Sequence, residues 1–133
     1  MFEGIRIAGS GMQVHKTWLD AISDNVANVN TARSTSETAF QSRYVIAQAV
    51  EDGGVGGGVK VGGIALSDGE GKLVSDPDNP LADENGLVRM PDVDLSEQLT
   101  TMIMAQRGYQ ASVSQLDRVR ESYQSAIQMG RLS

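Results

Sequence analysis

The stretch DLSEQLTTMIMAQRGYQASVSQLDRVRESYQSAIQM, residues 94–129, decides the fold of this chain. Its large side chains recur in alternating steps of four and three, which keeps them on one side of an α-helix, as in a coiled coil. No proline interrupts the stretch, and a single interior glycine, Gly108, weakens a helix only modestly. At 1.5 Å per residue the predicted helix is about 54 Å long. A helix so long with so narrow a stripe needs a partner. The stripe comprises Leu95, Leu99, Met102, Gln106, Tyr109, Val113, Leu116, Arg120, Tyr123 and Ile127.

Residues 5–31 repeat the same pattern and predict a second long helix. The polar run from Asn28 to Glu37 is expected to end it, because Asn, Thr and Ser offer the backbone side-chain hydrogen bonds. The sequence therefore predicts a mainly α fold, with long N- and C-terminal helices paired as an antiparallel coiled coil around a small irregular insert that contains β-structure. The predicted stripe of the first helix comprises Ile5, Ala8, Met12, His15, Leu19, Ile22, Val26 and Val29.

The insert, residues 36–93, is rich in glycine and aspartate. Aliphatic residues between Phe40 and Val50 favour a strand, and so does Leu87–Met90. Further along, the alternation of apolar residues slips by one position at Gly62-Gly63, which predicts a β-bulge between two short strand pieces. The alternative to these bulged strands is a flexible glycine-rich linker, and the composition favours neither over the other.

The boundaries of the second helix also have sequence signals. Asp94 and Glu97 have the spacing of a capping box at its start, and Gly130 is the expected residue just beyond its end. We therefore divide the chain into an N-terminal helix (residues 1–35), an insert (36–93) and a C-terminal helix (94–133).

Charge and composition exclude several classes of function. The net charge of −6 arises entirely in the insert, while each helical end is neutral, so no basic surface for nucleic acid is expected. The chain has no cysteine for disulfides or thiol catalysis. No apolar run approaches the ~20 residues of a membrane span, and residues 1–4 are not expected to begin a cleaved signal peptide.

No constellation of catalytic or ligand-binding residues is apparent. The Gly53–Gly58 spacing resembles a phosphate-binding loop, but Val59 and Lys60 stand where Lys and Ser/Thr are needed. The acids between Asp76 and Glu84 lack the ligand positions of a calcium loop. His15, on the predicted stripe, is favoured as a packed or hydrogen-bonded residue over a functional switch. We expect no enzyme activity, no cofactor and no metal.

Two polar residues, Gln106 and Arg120, fall on the predicted stripe of the C-terminal helix. Polar residues at such positions often set the register and the partner of a coiled coil. Alternatively, the helices twist enough for both side chains to reach solvent.

Three segments identify a family resemblance. SDNVANVNT (residues 23–31) and RGYQA (residues 107–111) resemble the paired terminal motifs of the bacterial flagellar rod, hook and hook-associated axial proteins. DPDNPLADENGLVRMPDV (residues 76–93) resembles the segment that leads into the final helix of a short rod protein of that family. Leu87, Asp92 and Gly108 depart from the usual pattern.

The resemblance implies a structural subunit of the basal-body proximal rod. Such subunits are exported by the flagellar type III system and polymerise through their terminal helices into a hollow, torque-transmitting shaft. The implied partners are copies of this chain, other flagellar rod proteins, and basal-body ring or export-gate components. The alternatives are another short rod protein of the family and, with less support, a cytoplasmic coiled-coil adaptor or export chaperone.

The resemblance and the stripes together give the candidate residues for contacts between subunits. They are Ser23, Asn25, Ala27, Asn28, Asn30, Thr31, Asn79, Pro80, Asp83, Gly86, Pro91, Val93, Leu99, Met102, Gln106, Arg107, Tyr109, Val113, Leu116, Arg120, Tyr123 and Ile127.

Overall fold

A computed structural model describes residues 2–132 of the chain, except for the side chain of residue 52. Along the chain a long helix is followed by four strands in two small antiparallel sheets and then by a second long helix. The predicted order of helix, β-containing insert and helix is confirmed. The elements are α1 (Phe2–Ala27), β1 (Arg43–Asp52), β2 (Val55–Leu66), β3 (Lys72–Ser75), β4 (Leu87–Met90) and α2 (Leu95–Arg131).

α1 ends at Ala27, directly before the polar run from Asn28 that was expected to end it, so the apolar pattern continues to residue 31 without a helix. The Asn28 amide donates to the Asp24 carbonyl oxygen at 2.8 Å, and the Thr31 hydroxyl donates to the Asn28 Oδ1 at 3.1 Å. Beyond Asn28 the backbone leaves the helical pattern, because the N–H groups of Val29 and Thr31 donate only three residues back, to the carbonyl oxygens of Val26 and Asn28, at 3.4 and 3.1 Å.

Asp94 caps the start of α2 as predicted, but among the described hydrogen bonds Glu97 does not return the reciprocal bond of a capping box. The Asp94 carboxylate accepts hydrogen bonds from the backbone N–H groups of Ser96 and Glu97, at 2.8 and 3.3 Å, which satisfies two donors of the first turn. The predicted end is wrong: Gly130 lies inside α2, which continues to Arg131 and is capped by Leu132.

The two helices contact each other in opposite order along the chain. A Cβ built at Gly4, near the start of α1, would lie 3.3 Å from Val119 of α2. Near the end of α1, the Asn25 amide donates at 3.0 Å to the Gln98 Oε1, close to the start of α2. One helix therefore lies along the other over most of the length of α1.

The stripe of α2 that contacts α1 differs from the predicted one. Its buried residues are Gln98, Ala105 and Ser112, each one position before Leu99, Gln106 and Val113. Leu99, Gln106 and Arg120 are exposed instead. Small side chains explain the shift, because the helices approach closely where Ala, Gly and Ser face the partner, and larger residues then pack at the flanks.

β1 and β2 form a long hairpin with two irregularities. Ile46 pairs with Gly63 but Ala47 pairs with Val61, so Gly62 is the extra residue of a bulge. The bulge predicted at Gly62-Gly63 is therefore confirmed, and the flexible-linker alternative is wrong. A second shift lies opposite Val50.

β3 and β4 form the second antiparallel pair, and β4 occupies the predicted range Leu87–Met90. Arg33, which follows α1, bridges to Arg89 of β4 through two backbone hydrogen bonds of 2.8 Å. This bridge ties the second sheet to the end of α1.

The buried core is small. Ala8, Ala21, Ile22, Val88 and Ala105 are among its members, while many larger apolar side chains remain exposed. Among the described residues no helix is long and apolar enough to cross a membrane, and no cluster of His, Cys, Asp or Glu is placed to hold a metal.

Candidate assembly surfaces

Asn25 joins three elements at the end of α1. Its side chain is 1% exposed. Its Oδ1 accepts from the Arg43 N–H at 2.8 Å, and its Nδ2 donates to the Arg43 carbonyl oxygen and to the Gln98 Oε1, both at 3.0 Å. The side-chain amide therefore pairs with the first residue of β1 as a neighbouring strand would, and it fixes that strand to both helices.

The hairpin lies lengthwise along α1. The Ser10 hydroxyl donates to the Ile7 carbonyl oxygen at 2.6 Å and accepts from the Val59 N–H at 3.1 Å. The Arg6 guanidinium donates to the Gly57 carbonyl oxygen at 3.0 Å. Together with Asn25, these contacts attach the hairpin to α1 through its backbone atoms.

The loop before β4 is held together by a carboxylate. The Asp83 Oδ1 accepts from the N–H groups of Asn85 and Leu87 at 2.8 and 2.9 Å, and its Oδ2 accepts from the Thr35 hydroxyl at 3.2 Å. The Leu87 N–H is the main cause that lowers the pKa of Asp83, and the bonds from Asn85 and Thr35 add to it, while desolvation opposes them. Gly86 closes the turn that begins at Asp83, with its N–H donating to the Asp83 carbonyl oxygen at 3.0 Å; it has φ +73°, and a Cβ there would lie 3.1 Å from Pro77.

A groove of about 300 Å³ lies where the start of the hairpin meets both helices. Its apolar lining includes Trp18, Ile22 and Val45, and the side chains of Arg43 and Glu97 line it as well. Arg43 is ion-paired with Asp24 at 2.9 Å, but Glu97 has no cationic partner within the described part of the chain.

Sequence comparison finds known proteins that are similar to this chain. The FlgC flagellar basal-body rod protein of Salmonella typhimurium is 32% identical over 126 residues, which cover 94% of each chain. FlgC of Agrobacterium fabrum is 35% identical over 133 residues, covering 96% of this chain and 94% of its own.

The chain belongs to the FlgC family of flagellar basal-body rod proteins.

As a member of the FlgC family, the chain is a structural subunit of the basal-body rod. FlgC of Bacillus subtilis is 25% identical over 147 residues, covering 98% of each chain. The names of these relatives do not denote enzymes.

Two family models match the helical ends. The model "Flagella basal body rod protein" matches residues 5–33, and "Flagellar basal body rod FlgEFG protein C-terminal" matches residues 84–129. The first range spans most of α1 and the turn after it, and the second spans β4 and nearly all of α2. The hairpin lies between the two matched ranges.

The structure places the candidate contact residues of this FlgC-family chain in three classes of exposure. The buried ones are Asn25, Pro91 and Val93. The half-buried ones are Asn28, Thr31, Asn79, Asp83, Gly86, Met102, Tyr109, Val113, Leu116 and Tyr123. The exposed ones are Ser23, Ala27, Asn30, Pro80, Leu99, Gln106, Arg107, Arg120 and Ile127.

Several structurally important residues of this FlgC-family chain were absent from the candidate list. Gln98 and Ser112 are buried on α2, and Ser10 and Arg6 hold the hairpin. A seven-residue spacing of small or polar residues at 98, 105 and 112 was the available signal for the first group. Ser10 and Arg6 bond to backbone atoms, which have no sequence signature.

Proposed function

We propose that this rod subunit polymerises through its terminal helices into a hollow shaft that transmits torque in the proximal part of the rod. The observation that carries the proposal is the apolar surface left uncovered on α2. Leu99, Ile103 and Met104 are 45%, 51% and 58% exposed, so the pairing of α2 with α1 within one copy does not bury them. Exposed apolar surface of this kind is typical of a site that meets another protein.

We further propose that α1 and α2 pair as an antiparallel coiled coil. Three observations support it: the opposite order of contacts, the seven-residue spacing of Gln98, Ala105 and Ser112, and the ring contact of Phe2 with Tyr123 at 5.9 Å between centroids. The small residues Ala105 and Ser112 on this line favour a close approach of the two axes, with larger side chains at the flanks.

The proposed partners are copies of this chain, other rod proteins, and ring or export-gate components of the basal body. The exposed residues Gln106 and Arg120 are proposed contacts between subunits, since neither is used in the helix pair. Asn25, Pro91 and Val93 are proposed to act indirectly, by holding the insert in place. Export through the type III system is proposed from the family resemblance.

Deletion of residues 94–133 tests the proposal. The truncated chain should still be exported into the medium but should be missing from purified basal bodies, and cells should lack rods. The matched control is the full chain expressed at the same level in the same strain. Normal rods built from the truncated chain would refute the proposal, and so would a full chain found only in the cytoplasm, as expected for an adaptor or chaperone.

A further inference from the structure

The C-terminal end of α2 extends beyond the helix pair. Phe2, where α1 begins in the described residues, contacts Tyr123. Residues 124–132 therefore extend beyond the N-terminal end of α1, and all of them are exposed. We call residues 124–132 the overhang.

The overhang has an apolar surface and a cation. Ile127, Met129 and Leu132 are 42%, 72% and 89% exposed. Arg131 forms no ion pair with any described residue. A helical end with this much exposed apolar surface favours a protein partner.

The groove at the other end of the molecule is complementary to the overhang. It is lined by Trp18, Ile22 and Val45, by Arg43, whose charge is balanced by its ion pair with Asp24, and by the carboxylate of Glu97, which has no ion-pair partner among the described residues. Its volume of about 300 Å³ is at the lower limit for binding pockets, which suits a few side chains of a helix rather than a whole domain. An apolar groove beside a free carboxylate matches an apolar helical end with a free guanidinium.

The overhang cannot enter the groove of its own chain. Thirty residues of straight helix separate Thr101, at the groove, from Arg131, which corresponds to about 45 Å. Only a second molecule can bring the two surfaces together. Because they are different patches at opposite ends, their contact is head-to-tail and produces an open polymer unless the rotation happens to close a ring.

We propose that the overhang of one copy binds in the groove of the next copy, with Met129 and Leu132 in contact with Trp18 and Ile22, and Arg131 paired with Glu97. This inference deepens the proposed function and rests on it. It assigns the contact between consecutive copies to two specific surfaces.

Engineered cysteines test the contact directly, because the chain has no cysteine of its own. In cells that assemble rods from this chain, the variant T101C/L132C should form disulfide-linked multimers in purified basal bodies. The matched control is T100C/L132C, in which the first cysteine replaces a neighbouring exposed threonine outside the groove. We expect at least about tenfold less cross-linking in the control, because a disulfide needs Cα atoms within about 7 Å.

Charge reversal gives an independent test with the full chain. Glu97→Arg and Arg131→Glu should each weaken self-association about tenfold in sedimentation experiments, because each places like charges together. The double variant should recover most of the loss. Glu121→Arg, outside the groove and the overhang, is the control, and circular dichroism checks that every variant is helical.

Failure of this inference is distinguishable from failure of the proposed function. If basal bodies contain the chain but T101C/L132C cross-links no more than T100C/L132C, the overhang contact is wrong and the rod function stands. Cross-linking of the overhang to a different protein also overturns the choice of a second copy. Absence of the chain from basal bodies overturns both.

Discussion

Gly108 of α2 lies directly against the imidazole ring of His15 of α1. A Cβ at position 108 would overlap Nε2 and Cδ2 of the ring, so glycine leaves the space that the histidine fills. The ring is fixed from its other side, because His15 Nδ1 lies 2.7 Å from the Gly11 carbonyl oxygen. The expectation that His15 is a packed, hydrogen-bonded residue is confirmed.

Gly108→Ala should therefore destabilise the chain, although alanine favours a helix. The overlap with His15 is expected to cost about 1–3 kcal/mol, and the gain in helix propensity of up to about 1 kcal/mol offsets only part of it. Thermal unfolding followed by circular dichroism measures the difference. His15→Ala in the same chain should remove the penalty.

Gly9→Ala is the matched control for this substitution. Gly9 is also inside a long helix, but a Cβ there would meet nothing within 4 Å outside its own helix and chain neighbours. It should stabilise the protein by about 0.5–1 kcal/mol. Equal effects of the two substitutions would contradict a close approach at Gly108.

Asn25→Ala should detach the hairpin from the helices. The loss leaves the Arg43 N–H, the Arg43 carbonyl oxygen and the Gln98 Oε1 without their partner, at about 1–3 kcal/mol for each group that stays buried. Amide hydrogen exchange should accelerate at Arg43 and in the rest of β1. Asn30→Ala, an exposed position in the same motif, is the control. Unchanged exchange at Arg43 in the Asn25 variant would refute the role of this amide.

The elements of the fold were largely predictable because they depend on local signals. Three-and-four periodicity placed both helices, and Asp94 marked the start of α2. The interrupted alternation at Gly62-Gly63 located the bulge, because a one-residue insertion in a strand reverses the faces of all later side chains. β3 was missed because the four residues of Lys72–Ser75 are all exposed and show no alternation of burial.

The contacts between elements were less predictable. A stripe drawn through large apolar residues selected Leu99, whereas the structure turns Gln98 and Ala105 toward α1. Small residues give no strong hydropathy signal, yet they decide how closely helices approach. The position of the hairpin depends on bonds from Ser10 and Asn25 to backbone atoms, which any sequence in the strand supplies.

Ser10→Ala should loosen the glycine-rich part of the hairpin and leave the helix pair intact. The Val59 N–H loses its acceptor, at a cost of about 1 kcal/mol. Exchange of the Val59 amide should accelerate, while the amides of α2 stay protected. Thr17→Ala is the control, because its hydroxyl donates only to the Gln13 carbonyl oxygen in its own helix, at 3.0 Å. Equal exchange at Val59 in both variants would show that Ser10 does not hold the hairpin.

Asp83 should make the stability of the loop before β4 dependent on pH. Its pKa is lower in the folded chain than in the unfolded chain, mainly because of the Leu87 N–H. The stabilisation is therefore complete above the unfolded pKa of about 3.9 and is lost as the pH falls through the lower folded value. Asp83→Asn should be less stable than the natural chain at pH 7, and the difference should shrink below about pH 4. Denaturant unfolding at several pH values measures the difference in stability between the two chains.

Glu84→Gln is the control, because the Glu84 carboxylate accepts no hydrogen bond from any described residue. Its difference in stability from the natural chain should not follow this pH profile. A difference for Asp83→Asn that persists unchanged at pH 2 would show that the charge of Asp83 does not hold the loop.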